Sequence, residues 1–241
     1  LGVIGIAIGT ALLPTLSRQL QGDDAKTAMY SQNRGIEIAL LLTLPAAIAL
    51  GVMGLPVINV LFERGAFGPE ETLMTGMALT VFAFGLPASV LVKVLAPGFF
   101  AREDTQTPIR IGISCMVLNI VLIVVLMPWF GHLGIAAATS VSVWVNATSL
   151  GIILHRRGDL TFDARLARRV PRILLASALM GAALWFAIDY FWENDALSIT
   201  RIITMAICVA GGMAVYAISA QLLGATSFSE LKATLKRGKT A

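Results

Sequence analysis

The sequence has few charged residues and very few cysteines. Charged residues make up 13% of its 241 residues, about half the share that is usual in soluble domains. Together with a hydrophobic share of 57% and a mean hydropathy of +0.82, this shortage excludes a water-soluble globular enzyme. The two cysteines, Cys115 and Cys208, lie inside apolar runs, so they indicate neither a disulfide framework nor a redox compartment.

Patterns of catalytic and metal-binding residues are also lacking. The two histidines lie between the apolar runs, no run contains a pair of carboxylates, and no nucleophile, zinc or P-loop motif occurs. The sequence therefore predicts no enzyme, no metal site and no cofactor. The net charge of +4 does not indicate nucleic-acid binding, because the basic residues lie between apolar runs, as they do in membrane proteins.

Long apolar runs dominate the sequence, and most have the length of a helix that crosses a bilayer. They predict an all-α, polytopic inner-membrane bundle of seven transmembrane helices, because a helix satisfies its own backbone in lipid. The predicted spans are residues 1–16, 36–61, 73–95, 111–129, 133–154, 173–191 and 202–223. The short first span leads us to expect that the chain is cut from a longer protein.

The basic residues predict the orientation of the spans. Every Lys and Arg except Arg64 and Arg201 lies in alternate connections or in the tail. The positive-inside rule therefore places these connections and the C-terminus in the cytoplasm. We expect a basic cytoplasmic linker at 155–172, either resting on anionic lipid or simply solvated, and a basic cytoplasmic tail at 224–241.

Proline and glycine inside the predicted spans mark places where a helix bends or borders a cavity. The candidates are Pro14, Pro45, Gly85 and Pro87. Ordinary kinks are an equal alternative, because both residue types are common in transmembrane helices. Such breaks suit a transporter that moves between two states.

A few polar side chains lie at membrane depth and are candidate cavity or ion-binding groups. They include Thr10 and Lys93, whose amine reaches either the cytoplasmic surface or a cavity that holds an anionic head group. Asn119 and Thr139 lie on the fourth and fifth spans, where they either hydrogen-bond to each other or hold a cation. The hydrogen bond is favoured, because no carboxylate accompanies them.

Three stretches resemble the MurJ (MviN) family of lipid II flippases. They are GTALLPTLSR at 9–18, LFERGAF at 61–67 and, most specifically, KVLAPGFFAREDTQTP at 93–108. The resemblance implies a fourteen-helix exporter of the MOP superfamily in the bacterial inner membrane. By that resemblance, this chain is the last seven helices, with most of the second lobe at 1–154 and two extra C-terminal helices at 173–223.

The resemblance also implies a function and its partners. The family moves an undecaprenyl-pyrophosphate-linked peptidoglycan precursor, lipid II, from the cytoplasmic to the periplasmic leaflet by alternating access, without a cofactor. The implied partners are lipid II, membrane lipids and the preceding lobe, which carries the family's head-group arginines. A groove beside the extra helices is implied for the lipid tail. Two alternatives are an exporter of another lipid-linked oligosaccharide and a non-transporting scaffold for cell-wall synthesis.

Specific residues follow from the same resemblance. The family loop covers Arg102, Asp104, Thr107 and Pro108, in which Arg102 and Asp104 either form a pair or cap the next helix. Asn119 and Thr139 match a sodium site of some members, whereas the expected carboxylate is replaced by Ile123. Coupling is therefore expected to use the membrane potential or a monovalent ion, with sodium disfavoured.

Overall fold

Seven α-helices make up the fold. A computed structural model describes residues 2–22, 24–192 and 198–225, and within these ranges the helices in chain order are α1 (Gly2–Gln21), α2 (Ala25–Phe62), α3 (Pro69–Phe100), α4 (Gln106–Phe130), α5 (His132–Arg156), α6 (Ala164–Phe191) and α7 (Ser198–Leu222). Six of them, α2 to α7, are long and apolar enough to cross a membrane, and α1 is not among these six. The predicted all-α polytopic bundle is confirmed. Most of the predicted tail lies at 226–241, outside the described residues.

Two helices begin well before the apolar runs that predicted them, because a helix continues past the hydrocarbon where the sequence turns polar. The side chain of Asp24 accepts a hydrogen bond from Thr27 N at 3.0 Å and caps the start of α2. Asp163 likewise accepts from Leu166 N at 2.7 Å at the start of α6. The predicted linker 155–172 is thus a short loop at 157–163 between the last turn of α5 and the first turns of α6.

α2 and α3 form the centre of the bundle. They pack along each other, α3 also packs against α1 and α5, and α4 packs mainly on α5. The hairpin of α6 and α7 packs on α2. α2 therefore connects the first five helices with the last two.

α4 lies at the outside of the bundle. Among its described residues only Cys115 is buried, and beyond its first turns its exposed side chains, such as Met116 and Val124, are apolar. It approaches α5 closely at Gly134, where a Cβ atom would lie 2.7 Å from the carbonyl oxygen of Leu126. Small residues allow such close helix packing in membranes, where lipid is as apolar as the helix surface.

Candidate functional site

The side chain of Lys93 lies in a groove on α1 that glycines leave open. A Cβ atom on Gly9 would lie 2.7 Å from the backbone oxygen of Lys93, and one on Gly5 would lie 2.9 Å from its Cδ. The Lys93 amine lies 3.5 Å from the carbonyl oxygen of Gly2. Three glycines on one face of α1 therefore let α3 approach and let the lysine stem lie along the helix.

The direction of this side chain bears on the two alternatives for Lys93. Its contacts pass from Gly9 to Gly5 to Gly2, away from the end of α1 that carries Arg18. This direction is usual, because side chains lean toward the N-terminus of their helix. The amine is thus directed away from the basic end of the bundle, which favours the cavity over the cytoplasmic surface.

The two candidates on α1 lie on its exposed side. Thr10 and Pro14 are exposed, whereas Gly5 and Gly9 are buried against α3. The hydroxyl of Thr10 donates to the carbonyl oxygen of Ile6 at 2.9 Å, within its own helix. The structure therefore places Thr10 and Pro14 together on a free face of α1, apart from the groove that holds the Lys93 stem.

The break in α3 is covered by α5. Pro87 has no N–H, so the carbonyl oxygen of Ala83, four residues earlier, loses its regular helix partner. Trp144 Nε1 donates to the carbonyl oxygen of the next residue, Phe84, at 2.9 Å. At Gly85, a Cβ atom would lie 3.0 Å from Ser140 Oγ and 3.1 Å from Ser140 Cα. Gly85 and Pro87 are therefore buried and fixed against α5.

At Pro45 in α2, a neighbouring side chain contacts the very carbonyl that the proline leaves without a partner. The carbonyl four residues earlier, that of Leu41, would have accepted the missing N–H of this proline. The hydroxyl of Tyr216 donates to that oxygen at 2.7 Å. A side chain of α7 thus replaces the lost helix bond, and it ties the last helix to the bend in α2.

Near Pro97, at the end of α3, a side chain of α2 also donates a hydrogen bond to the α3 backbone. Gln32, which is buried, donates from Nε2 to the carbonyl oxygen of Val94 at 3.2 Å. At Pro45, Pro87 and Pro97, a side chain of a neighbouring helix therefore donates to a backbone carbonyl beside the break, where lipid offers no donor.

The predicted loop residues come together and bind a second loop. The backbone N–H of Thr107 donates to Asp104 Oδ1 at 3.0 Å, at the start of α4, and Arg157 donates to Asp104 Oδ2 at 2.6 Å. Arg102 Nε lies 2.9 Å from Asp159 Oδ1. The capping role is thus observed for Asp104, whereas Arg102 and Asp104 do not pair with each other, because each has an oppositely charged partner in the loop between α5 and α6.

The electrostatics of this loop follow from its contacts. Hydrogen bonds from Thr107 and then from Arg157 hold the pKa of the Asp104 carboxyl well below its usual range. Pro108 is the third residue of α4, in the first turn, where a missing N–H breaks no helix bond. The two loops together, Arg102 to Thr107 and Arg157 to Asp163, form what we call the loop clamp.

Asn119 and Thr139 do not form the hydrogen bond that was favoured. Thr139 donates its hydroxyl to the carbonyl oxygen of Ile135 at 2.9 Å, within α5. Asn119 Oδ1 is buried and has no hydrogen-bond partner among the described residues. Nor does any cluster of three or more His, Cys, Asp or Glu occur in the described ranges.

One buried ion cluster was missed by the sequence analysis. Glu37 on α2 is only 6% exposed, accepts hydrogen bonds from Arg34 and Arg169, and has Arg165 Nε at 3.5 Å. Arg34 also pairs with Asp163. A buried carboxylate is stable only when it is paired and hydrogen-bonded, which these arginines achieve. The available signal was that Glu37 is the one acidic residue inside the second predicted span.

An apolar groove of about 650 Å³ lies between α6 and the bundle. Its lining comes from α2, α3, α5 and α6 and is almost entirely hydrocarbon. The polar groups there are largely used internally: Trp144 bonds to α3, and His155 Nδ1 lies 3.0 Å from the oxygen of Leu160. Only Arg156 offers an exposed charge at the rim.

These features define a class of protein: a multi-pass helical membrane protein whose bent spans are fixed to one another by polar side chains. Comparison with known proteins gives the family. The family model described as "Lipid II flippase MurJ" matches residues 1–222. The chain belongs to the MurJ family, as the resemblance predicted, and is a multi-pass inner-membrane protein.

Individual relatives agree with this assignment. A "Probable lipid II flippase MurJ" of Rhizobium meliloti (strain 1021) is 43% identical over 100% of this chain and 46% of its own length. Its counterpart in Vibrio cholerae serotype O1 is 36% identical over 97% of this chain and 44% of its own length. The chain spans about half the length of these curated relatives, in agreement with seven helices out of fourteen.

A solved structure supports the fold. "Lipid II flippase MurJ, inward closed conformation" superimposes with a TM-score of 0.72 and 24% identity, over 92% of this chain and 43% of that one. At this identity the likeness concerns the fold alone.

Proposed function

We propose that this chain is part of a lipid II flippase that moves the undecaprenyl-pyrophosphate-linked peptidoglycan precursor from the cytoplasmic to the periplasmic leaflet. The observation that carries the proposal is the 43% identity, across the whole chain, with a relative of that name. The physical need is clear, because a charged sugar-peptide head group does not cross hydrocarbon unaided. Such a protein is a transporter and not an enzyme.

The proposed orientation puts the loop clamp and the C-terminus in the cytoplasm. It is supported by the basic residues, which collect at the ends of the helices where α3 meets α4 and α5 meets α6. At the other end, Arg201 Nη1 lies 3.6 Å from Glu63 Oε1, so one of the two basic residues there has its charge balanced.

The proposed orientation allows a role to be proposed for each of the residues at membrane depth. Residues 1–154 form one side of the substrate cavity, with the missing lobe opposite. Lys93 lies on α3 with its amine directed into the membrane, where it meets the pyrophosphate, and Thr10 and Pro14 form the exposed face of α1. Pro45, Gly85 and Pro87 set the bends. The residues 173–223 and the apolar groove beside α6 receive the hydrocarbon tail.

The energy source belongs to the proposal as well. Transport by this scheme needs no cofactor and is driven by the membrane potential or a monovalent ion. Asn119 Oδ1 on α4 is an oxygen without a partner among the described residues, but Ile123 stands where the resemblance places a carboxylate, so sodium is not the preferred ion.

The test is complementation. The native lipid II flippase of a bacterium is depleted, the complete gene product carrying this chain is expressed, and lipid II exposed on the outer face is measured. We expect the complete product to restore exposure and residues 1–241 alone to fail, because the opposite wall of the cavity is then absent. Failure of a correctly inserted, well-expressed complete product would instead support a different lipid-linked substrate or a scaffold.

A further inference from the structure

Four arginines form a single basic surface on the first turns of α6. They are spaced three and four residues apart, so they lie on one face of the helix, and they line one open pocket of about 390 Å³. We call this surface the arginine shelf; it consists of Arg165, Arg168, Arg169 and Arg172. The apolar run of α6 begins at the next residue, so the shelf lies at the level of lipid head groups.

The shelf has an inner and an outer half. Arg165 and Arg169 contact Glu37, as described above. Arg172 donates to the carbonyl oxygen of Gly224 at 3.3 Å, a contact with a neutral group. Arg168 is exposed and makes no hydrogen bond or ion pair with any residue that the structure describes.

The two outer charges of the shelf lack a counter-charge among the described residues. Arg168 has no described partner, and the described contact of Arg172 is with a neutral carbonyl oxygen. Like charges at these spacings repel each other, and the N-terminal end of a helix is the unfavourable end for cations. An external anion at the outer half of the shelf removes this repulsion.

We propose that the arginine shelf binds the phosphate group of a membrane lipid, with Arg168 and Arg172 contacting the phosphate oxygens and Glu37 fixing the inner pair. The planar fork of arginine fits phosphate oxygens in pairs, and basic pockets between transmembrane helices suit lipid head groups. The phosphate belongs to a bulk anionic phospholipid or to a pyrophosphate-linked lipid; the second source rests on the proposed function.

The experiment is native mass spectrometry of the purified complete gene product. Phosphatidylglycerol, undecaprenyl pyrophosphate and inorganic phosphate are titrated separately. The test variant is Arg168→Gln with Arg172→Gln, and the matched control is Arg18→Gln with Arg110→Gln, which removes the same charge from exposed arginines outside the shelf. We expect the test variant to lose at least about 10-fold in affinity for the lipid, and the control less than about 2-fold.

The single variant Arg168→Gln separates lost binding from misfolding, because its side chain has no described partner whose loss would destabilise the fold. It is expected to weaken lipid binding by about 5-fold with an unchanged thermal unfolding temperature. The lipid whose binding falls in the variants is the ligand of the shelf. Equal losses in both double variants, unchanged binding, or inorganic phosphate binding as tightly as either lipid would overturn the proposal. Lipid binding is read without transport, so failed complementation leaves this result intact.

Discussion

At the scale of single residues, charged side chains in this protein are held by partners that lie far away in the sequence. Glu37 on α2 is clamped by Arg169 on α6, 132 residues later, and the stem of Lys93 lies along the glycines of α1. A charged side chain at or near membrane depth is costly unless the fold supplies such surroundings. These charges are therefore the points at which a substitution has the clearest effect.

The amine of Lys93 is the first group to test. Lys93→Met keeps the stem that packs over Gly5 and removes only the charge, so the bundle is expected to fold normally. Binding of the pyrophosphate-linked lipid to the complete gene product should weaken by about 10-fold, the usual contribution of one hydrogen bond to a charged group. The control is Lys26→Met at an exposed position of α2. Equal affinity of both variants for the lipid would show that the Lys93 amine does not contact the lipid in the cavity.

The carboxylate of Glu37 is the second group to test. Glu37→Gln leaves Arg34, Arg165 and Arg169 without their shared anion, and losing one partner of a buried pair costs about 3 to 5 kcal/mol. We expect a clearly lower unfolding temperature and reduced expression. Glu70→Gln at an exposed position of α3 should change stability by less than about 0.5 kcal/mol. A stability loss as small as that of the control would show that the cluster contributes little.

At the scale of elements, the helices are coupled at their proline breaks. α7 supplies the hydroxyl for the bend at Pro45, α5 supplies Trp144 for the bend at Pro87, and α2 supplies Gln32 beside Pro97. A bend in one helix therefore changes only when its neighbour gives up a hydrogen bond. Gly85 contacts Ser140 closely, so a larger residue there tests packing and not bending alone.

The bond from Tyr216 to Leu41 allows a clean test of this coupling. Tyr216→Phe leaves the carbonyl oxygen of Leu41 without a partner and should cost about 1 to 2 kcal/mol. In a Pro45→Ala background the restored N–H occupies that oxygen, so the same substitution should then cost almost nothing. Unfolding of all four proteins measures the coupling, and Tyr190→Phe at an exposed position is the control. Equal costs in both backgrounds would contradict the replacement role.

At the scale of the whole molecule, the loop clamp joins the ends of five helices, because it includes Thr107 in the first turn of α4. Asp104 and Arg102 bind Arg157 and Asp159 across the two loops, and Asn33 of α2 donates to the carbonyl oxygen of Thr161 at 2.8 Å. The ends of α2, α3, α4, α5 and α6 therefore behave as one unit. Under the alternating access proposed above, we expect this end of the molecule to move as a single body.

The clamp is expected to be insensitive to pH in the physiological range. The pKa of Asp104 is lowered in the folded protein, so its contribution to stability is complete above the unfolded value of about 3.9 and is lost only as the pH falls through the lower folded value. Disulfide trapping between cysteines placed in the two loops should proceed to the same extent at about pH 5 and about pH 8, once thiol reactivity is matched by a reference pair. A marked loss at the lower pH would contradict this.

Much of the fold follows from the sequence, because apolar runs of membrane length have only one common solution in lipid. The helix ends were harder to predict from the sequence. α6 begins at Ala164, because its arginine-rich first turns extend beyond the hydrocarbon, whereas a search for apolar runs stops at those arginines. The partners of charged residues were the hardest feature to predict from the sequence. Asp104 and Arg102 pair with residues more than 50 positions away, and nothing local to the motif specifies that choice.

The ion pair between Asp104 and Arg157 also records how the chain was inserted. The two residues flank the hairpin of α4 and α5 and are 53 positions apart. They meet only when both ends of that hairpin lie on the same side of the bilayer, after both helices have crossed it. A hairpin with one helix left uninserted separates the two charges by the thickness of the membrane, so this pair forms only after α4 and α5 have both crossed and marks a correctly inserted hairpin.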